Sequence, residues 1–264
     1  MTESDNDFLA FAEFAESLAD ASRAVILESL GGALAIEVKP DASLVTEIDH
    51  AVEDRLRGLI ADAYPAHGII GEERGVSDID AEFVWVLDPI DGTAQFIAGL
   101  PVFGTLIALA RNEVPVVGVI DHPVTDERWV GRRGAATTRN GAAVTTRECD
   151  DLAAAMMTCS SPDYFQAAHH TCFARLRDRV RWTLYGGSCL SYAMLASGRT
   201  DLAVDGDLDP VDLCALAPVV EGAGGVMTDW QGRPLTIHTQ GRVVTAGDRR
   251  LHGQALEILS DCSE

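Results

Sequence analysis

Basic residues are scarce in this sequence. Its 264 residues include 20 Lys and Arg, a single one of them lysine, against 41 Asp and Glu, and the formal net charge is −21. Phosphate backbones are bound by clustered Lys and Arg, so this balance argues against a nucleic acid as partner. The acidic excess fits a solvated surface, and it also fits a local group of acids that collects cations.

Long apolar runs and signal sequences are absent as well. No run approaches the roughly 20 apolar residues that a membrane-spanning helix needs. The first ten residues, MTESDNDFLA, lack the basic and apolar regions of a signal peptide. We therefore expect a cytoplasmic protein without a membrane partner.

The sequence also lacks the cysteine and histidine patterns that are typical of metal sites. None of the six cysteines forms a C-x-x-C pair, and none of the seven histidines stands in an H-E-x-x-H pattern. Zinc is therefore disfavoured. Several cysteines lie inside apolar runs, so we expect reduced, buried thiols rather than disulfides.

Apolar residues make up 47% of the chain, enough for one large α/β unit or two lobes. Their spacing predicts helices over residues 7–30 and 46–63 and strands over 67–70 and 83–87, the latter ending at Asp88. Three closely joined strands over 103–110, 114–120 and 127–131 indicate an antiparallel meander.

The pattern changes after residue 150. Predicted strands over 156–159, 181–185, 202–205, 225–228 and 243–246 alternate with helices near 163–178, 188–198 and 210–222 and a last helix capped by Asp248. Alternation of this kind favours a mixed sheet covered by helices. We divide the chain into an N-terminal α+β lobe, 1–150, and a C-terminal α/β lobe, 151–264.

Acidic residues cluster where apolar strands end or helices start. Three such clusters are Glu72-Glu73, Asp88 with Asp91, and Asp209 with Asp212. Converging carboxylates repel one another unless a cation lies among them. Oxygen ligands without Cys or His favour Mg²⁺, with Mn²⁺ and Ca²⁺ as alternatives.

The stretch WVLDPIDGT, residues 85–93, contains the pair Asp88 and Asp91 directly after a predicted strand. Pro89 favours an extended Asp88, and a turn after it can bring Asp91 to the same side, with the Ile90 carbonyl as a neutral ligand. Gly92 permits close backbone approach, and a helix start at Thr93 offers N–H groups to phosphate. A capped turn with both acids in water is the alternative.

WVLDPIDGT, with GEE upstream and a D-x-x-D helix start downstream, closely resembles the inositol monophosphatase superfamily of Mg²⁺-dependent phosphatases. The resemblance runs from LVTEID at 44–49 to GAGGVMTDWQG at 222–232. It implies a layered αβαβα sandwich and a homodimer. It also implies a phosphomonoesterase that hydrolyses a small phosphorylated alcohol with two or three Mg²⁺ ions, for which Mn²⁺ could substitute.

The resemblance also assigns roles by motif. Metal ligands would be Glu72, Asp88, the Ile90 carbonyl, Asp91 and Asp212. Thr93, hydrogen-bonded to Asp49, would position and deprotonate the attacking water, and Glu73 would assist near that water or a third metal. Gly92 and Thr93 would hold the phosphate through backbone N–H groups. Lys39, before Pro40, is a candidate to reach the site when its loop closes.

Within the superfamily, several stretches are most similar to the histidinol-phosphate phosphatase branch, among them SSPDYF at 160–165. The part of the substrate beyond the phosphate would contact Gly187, Ser188 and Asp205. Ser188 and Asp205 depart from the acids usual in that branch, which leaves inositol-1-phosphate or another sugar or polyol phosphate as an alternative. A non-catalytic regulatory binding protein is the alternative of another class.

Overall fold

The structure, a computed structural model, describes residues 7–40 and 43–262. Its helices are α1 (Asp7–Ser29), α2 (Glu47–Ala63), α3 (Thr93–Ala98), α4 (Ala167–Arg177), α5 (Ser188–Ala196), α6 (Pro210–Leu213), α7 (Leu216–Gly222) and α8 (Arg249–Leu259). Short 3₁₀ helices span Leu152–Ala154, Pro162–Tyr164 and Ser260–Cys262.

The strands of the N-terminal half are β1 (Ile36–Val38), β2 (Leu44–Thr46), β3 (Gly68–Gly71), β4 (Gly75–Ser77), β5 (Phe83–Asp91), β6 (Gly104–Arg111), β7 (Val114–His122), β8 (Glu127–Arg132), β9 (Thr138–Arg139) and β10 (Ala142–Ala143). Those of the C-terminal half are β11 (Met156–Cys159), β12 (Trp182–Tyr185), β13 (Leu202–Leu208), β14 (Val226–Asp229) and β15 (Gly241–Ala246).

Local chemistry places several helix ends where the sequence predicts them. α2 begins after Thr46, whose hydroxyl accepts from the Ile48 N–H at 3.2 Å and whose own N–H donates to the Asp49 carboxylate at 2.8 Å. This reciprocal capping satisfies backbone groups that an open helix end leaves unpaired. α8 begins in the same way after Asp248, whose carboxylate accepts from the Arg250 N–H at 2.8 Å.

Two sheets carry the fold. The larger has the order β10-β9-β8-β7-β6-β5-β3-β4 and is antiparallel except where β3 pairs with β5. The smaller has the order β12-β11-β13-β15-β14, in which β11 runs parallel to both of its neighbours. The predicted meander and the predicted mixed sheet are both confirmed.

Successive β5 residues point to opposite faces of the larger sheet, as a strand requires. Trp85 and Leu87 pack under α1 and α2, whereas Val84 and Val86 pack in a core that also includes residues of α5, α6 and α7. A third core lies between the smaller sheet and the helices α4 and α8. The layers therefore alternate αβαβα, which confirms the expected sandwich.

The middle layer joins the two halves of the sequence. A Cβ at Gly118 of β7 would lie 2.1 Å from the Ala215 carbonyl oxygen, so the backbone between α6 and α7 touches the larger sheet directly. The same core contains Met227 and Val243 of the smaller sheet. The division near residue 150 separates the strands of the two sheets, but as a division into lobes it stays a prediction.

Two predicted elements differ from the structure. β5 does not end at Asp88 but pairs with β6 as far as Asp91, because a register shift absorbs Pro89. The predicted helix over 210–222 is two helices, interrupted around Ala215 where the chain meets β7. Hydrophobic periodicity predicts neither the pairing of β5 with β6 nor the contact of Ala215 with β7, since each joins parts of the chain that are separated in the sequence.

The expectation that all six cysteines are reduced is also wrong. Cys172 is disulfide-bonded, while Cys149, Cys159, Cys189 and Cys214 are free thiols. The spacing of cysteines along a chain does not report which of them meet in space, and that was the basis of the prediction. None of the helices in the described ranges combines the length and apolar character that a membrane-spanning helix requires.

Candidate active site

Asp88 and Asp91 lie at the end of β5, on either side of an irregularity in its pairing with β6. Asp88 pairs with Leu106 and Asp91 with Gly104, and the register shifts between them. Residues three apart on a regular strand face opposite sides of the sheet. A bulge re-aims the side chains that follow it, so the two carboxylates converge on one side.

Asp212 reaches the same place from the first turn of α6. Its Oδ2 accepts a hydrogen bond of 2.7 Å from the Asp209 N–H, which closes a capping box at the helix start. One carboxylate oxygen from each of Asp88, Asp91 and Asp212 lies within 4.8 Å of the other two. The structure thus brings these three predicted ligands together.

The electrostatics of this cluster favour a cation. Asp88 is only 2% exposed, and its Oδ1 lacks a hydrogen-bond partner within the described residues. Burial, followed by the charges of Glu72, Asp91 and Asp212, raises the pKa of Asp88 well above its usual range. Burial also raises the pKa of Asp91 and of Asp212. Oxygen donors that repel one another in this way fit a hard divalent cation.

Glu72 and Glu73 follow β3 and face the cluster from its other side. Both are bound by the ammonium group of Lys39, whose Nζ lies 2.9 Å from Glu72 Oε1 and 2.6 Å from Glu73 Oε1. Burial raises the pKa of Glu73 to about 7 in spite of this contact. Lys39 therefore contacts two of the predicted site residues, while closure of its loop over the site stays a prediction.

Asp49 and Thr93 meet beside the cluster. The Thr93 hydroxyl lies 3.4 Å from Asp49 Oδ1 and 3.0 Å from the Ile90 carbonyl oxygen. Asp49 is fully buried, and its other oxygen accepts from the N–H and the hydroxyl of Thr46. Gly92 precedes Thr93 with a φ of +84°, a left-handed conformation that glycine adopts without strain. The predicted hydroxyl–carboxylate pair is present, with a long hydrogen bond.

Comparison with known proteins tests the resemblance. A sequence model of the inositol monophosphatase family matches residues 9–264. The chain belongs to the inositol monophosphatase family. Its members are generally metal-dependent and act on small phosphorylated substrates, and the named relatives are phosphatases, so the chain is a phosphoric monoester hydrolase.

Three relatives illustrate the range of this family. The chain is 43% identical over 265 residues to the bifunctional phosphatase IMPL2, chloroplastic, of Arabidopsis thaliana, covering 97% of this chain and 77% of that protein. It is 34% identical over 233 residues to a histidinol-phosphatase of Mycobacterium tuberculosis, covering 86% and 88%. A solved inositol monophosphatase of Zymomonas mobilis superposes with a TM-score of 0.88 at 40% identity, covering 98% and 100%.

In this member of the inositol monophosphatase family, the start of α5 contacts the turn that contains Asp91 and Gly92. The Cys189 N–H donates to Asp91 Oδ2 at 2.6 Å. A Cβ at Gly92 would lie 3.0 Å from the Ser188 hydroxyl oxygen, and Ser188 adopts a positive φ of 43°. A Cβ at Gly187 would lie 2.3 Å from the Ser191 hydroxyl oxygen. The predicted substrate residue Ser188 therefore adjoins Gly92 of the predicted phosphate loop, while Gly187 packs against the side chain of Ser191 on α5.

Asp205, the other predicted substrate residue, is more enclosed than a direct contact would require. It is 1% exposed, its Oδ1 accepts from the Ser160 N–H at 2.6 Å, and its Oδ2 accepts from the Tyr192 hydroxyl at 2.7 Å. Burial raises the pKa of Asp205 to about 6, although the hydrogen bonds from Ser160 and Tyr192 lower it. The role of Asp205 as a direct substrate contact stays a prediction.

Sequence reasoning missed three residues that surround the site. These are Tyr192, which binds Asp205, Ser160, whose backbone orients the same acid, and Tyr164, which lies close to the acids and is taken up below. For Ser160 and Tyr164 the only sequence signal was the similarity of the SSPDYF stretch to one branch of the superfamily, and Tyr192 lies outside that stretch. The hydrophobic periodicity of the sequence does not distinguish these residues from ordinary loop positions.

Replacing Lys39 by methionine is expected to tighten Mg²⁺ binding. The Lys39 ammonium binds Glu72 and Glu73, and it competes there with an added cation. Without it we expect the Kd for Mg²⁺ to fall about 10-fold, which corresponds to about 1.4 kcal/mol, measured by calorimetric titration of chelator-treated protein.

Arg74→Met is the matched control for this change. It also removes one positive charge close to Glu73 in the sequence. Arg74, however, forms an ion pair with the exposed Asp54 and not with Glu72 or Glu73. We expect its Mg²⁺ affinity to stay within about twofold of the wild type, since an exposed pair contributes little. An unchanged or weaker Mg²⁺ affinity in Lys39→Met would contradict the competition.

Proposed function

We propose that the chain is a Mg²⁺-dependent phosphatase that hydrolyses histidinol phosphate to histidinol and phosphate. The carrying observation is the buried Asp205, which binds Tyr192 of α5, the helix whose Cys189 N–H donates to Asp91 of the three clustered acids. Histidinol carries positive charge, and an anionic pocket stabilises a cation near it. The name of the Mycobacterium tuberculosis relative supports the same substrate.

The metal would be held by Asp88, Asp91 and Asp212, with Glu72 and the Ile90 carbonyl as further ligands. The unpartnered Oδ1 of Asp88 and the raised pKa values of the three aspartates support this assignment. Two or three ions fit the number of carboxylates, and Mn²⁺ could replace Mg²⁺ because both prefer oxygen ligands. When bound, such ions neutralise phosphate oxygens and lower the pKa of water.

The protein groups beside the metal would handle the water and its proton. The Thr93 hydroxyl can donate its one proton either to the Ile90 carbonyl oxygen at 3.0 Å or to Asp49 Oδ1 at 3.4 Å. When it donates to Asp49, its oxygen would accept a hydrogen bond from a water molecule. Asp49 is held by Thr46 and can receive the proton that the water gives up. Glu73, with a pKa of about 7, can take part in the same proton transfer.

Phosphate would be held by the backbone where β5 turns into α3. The left-handed Gly92 turns the chain, and the Gly92 carbonyl accepts the first helical hydrogen bond from the Phe96 N–H at 2.9 Å. The N–H groups of Gly92 and Thr93 precede that bond and are the ones we assign to the phosphate oxygens.

Inositol-1-phosphate is the second candidate substrate. The observation that favours it is that Asp205 is only 1% exposed and that each of its oxygens already accepts a hydrogen bond, from Ser160 or from Tyr192, which hinders a direct bond to a cationic group. Relatives named as inositol monophosphatases also occur at 32% identity. A neutral polyol needs no anionic pocket, so the two substrates make different demands on the site.

A substrate panel tests the proposal. We expect kcat/KM for histidinol phosphate to exceed that for inositol-1-phosphate and fructose-1,6-bisphosphate by about 10-fold or more, the range that one well-placed charge contributes. Phosphate release should require Mg²⁺ and stop with a chelator. Equal turnover of histidinol phosphate and the sugar phosphates would reject the substrate assignment and leave the phosphatase chemistry intact.

The homodimer and the cytoplasmic location remain predictions. The edge strand β12 exposes Trp182, Leu184 and Tyr185, each about half in solvent, and such an edge can be covered by a second copy of the chain. Sedimentation velocity would distinguish a monomer from a dimer. The name of the Arabidopsis relative gives a chloroplast location for that protein.

A further inference from the structure

Tyr164 lies on a short segment that packs against β13, and much of its ring is in solvent. It is 54% exposed and forms the end of the 3₁₀ helix Pro162–Tyr164. Partial burial and the charges of Asp91, Asp205 and Asp212 together raise the pKa of its hydroxyl. These three acids belong to β5, β13 and α6, so the phenol lies within the field of all three elements that form the site.

The segment around Tyr164 is attached to β13 on both sides. On one side, the Ser160 N–H donates to Asp205 at 2.6 Å. On the other, Phe165 packs on Gly206, where a Cβ would lie 2.6 Å from the ring, and stacks on Phe173 at a centroid distance of 4.7 Å. The backbone at Tyr164 is therefore held beside the acids before any substrate arrives, which lowers the ordering cost of binding.

An aromatic ring next to a buried carboxylate recognises a particular kind of group. The face of a phenol attracts a cation and stacks on a flat ring, and such contacts contribute about 0.5–2 kcal/mol. The Asp205 charge attracts the same cation, although both of its oxygens are already hydrogen-bonded. A neutral, non-planar polyol gains from neither contact.

We propose that Tyr164 is a specificity-determining residue that selects phosphate esters whose alcohol part carries a flat, cationic ring. The inference rests on the proposed function, since it concerns the substrate end of the same site. It assigns the recognition of that end to the exposed ring of Tyr164 acting with the field of Asp205. Hydrogen bonds that the substrate would donate directly to Asp205 are not required.

Competitive inhibition separates this inference from the identity of the natural substrate. Hydrolysis of para-nitrophenyl phosphate with Mg²⁺ is measured in the presence of L-histidinol or of inositol, in the wild type, Tyr164→Leu and Tyr164→Phe. We expect Tyr164→Leu to raise the Ki of histidinol about 10-fold and to leave the Ki of inositol within about twofold. Tyr164→Phe keeps the ring and should restore the histidinol Ki.

Trp182→Leu is the matched control, since Trp182 is 53% exposed on β12 at the end of that strand farther from Ser188. It should leave both Ki values unchanged. The inference is overturned if Tyr164→Leu weakens histidinol and inositol equally, if Tyr164→Phe fails to restore binding, or if the wild type binds histidinol no better than inositol. If histidinol inhibits through Tyr164 but histidinol phosphate is not hydrolysed, the proposed substrate fails and the inference stands.

Discussion

Replacing Asp91 by asparagine is expected to lower kcat for Mg²⁺-dependent phosphate release by about 1,000-fold. Asp91 is one of three acids whose oxygens lie within 4.8 Å of one another, and a metal held there supplies several kcal/mol of charge stabilisation in the transition state. A loss of about 4 kcal/mol corresponds to that factor. The measurement is phosphate release at saturating substrate over a range of Mg²⁺ concentrations.

Thermal unfolding distinguishes a lost metal site from a damaged fold. The asparagine can still accept the 2.6 Å hydrogen bond from the Cys189 N–H, and it removes one charge from a group of mutually repelling acids. We therefore expect the Tm in chelator to equal or exceed that of the wild type, and the increase in Tm on adding Mg²⁺ to be lost. Asp62→Asn, an exposed acid on α2, is the control. Unaltered phosphate release by Asp91→Asn would refute the metal assignment.

Replacing Asp121 by asparagine is expected to lower the free energy of unfolding by about 3 kcal/mol or more. Asp121 is fully buried on β7 and binds Arg23 of α1 and Arg128 of β8, at 2.7 Å for the shortest bond to each. Without it the two guanidinium groups keep, within the described part of the chain, only their exposed partners Asp126 and Asp20, and breaking a buried ion pair costs about 3–5 kcal/mol. Urea-induced unfolding in chelator measures the change.

Asp126→Asn is the matched control, because Asp126 binds the same Arg23. Its side chain is 87% exposed, and exposed pairs contribute about 0–1 kcal/mol. Asparagine also tolerates the positive φ of 55° at this position. If the two variants lost equal stability, burial would not be the cause of the effect at Asp121.

Much of the architecture follows from local signals. The apolar spacing of α1 and α2, the close joints of the meander and the Asp248 cap all describe contacts within a few residues, and the structure contains each of them. The failures concern longer range. The continuation of β5 to Asp91 depends on pairing with β6, and the interruption near Ala215 coincides with a contact to β7.

The site shows the same division between near and distant contacts. The sequence already indicated that Asp88 and Asp91 converge, because Pro89 favours an extended Asp88 and a turn after it can bring Asp91 to the same side. The arrival of Asp212, about 120 residues later, could be inferred only from the resemblance to a family. The enclosure of Asp205 by Ser160 and Tyr192 had no sequence signal at all.

The sequence by itself determined the chemistry of this protein. The stretch WVLDPIDGT, with its neighbouring acids, indicated a metal-dependent phosphatase, because ligand type and spacing are properties of a short segment. Only the tertiary structure decided what surrounds that chemistry: Lys39 on Glu72 and Glu73, Asp205 buried between two partners, and Tyr164 beside the acids. These contacts join residues that are far apart in the chain, and the packing of five layers brings them together.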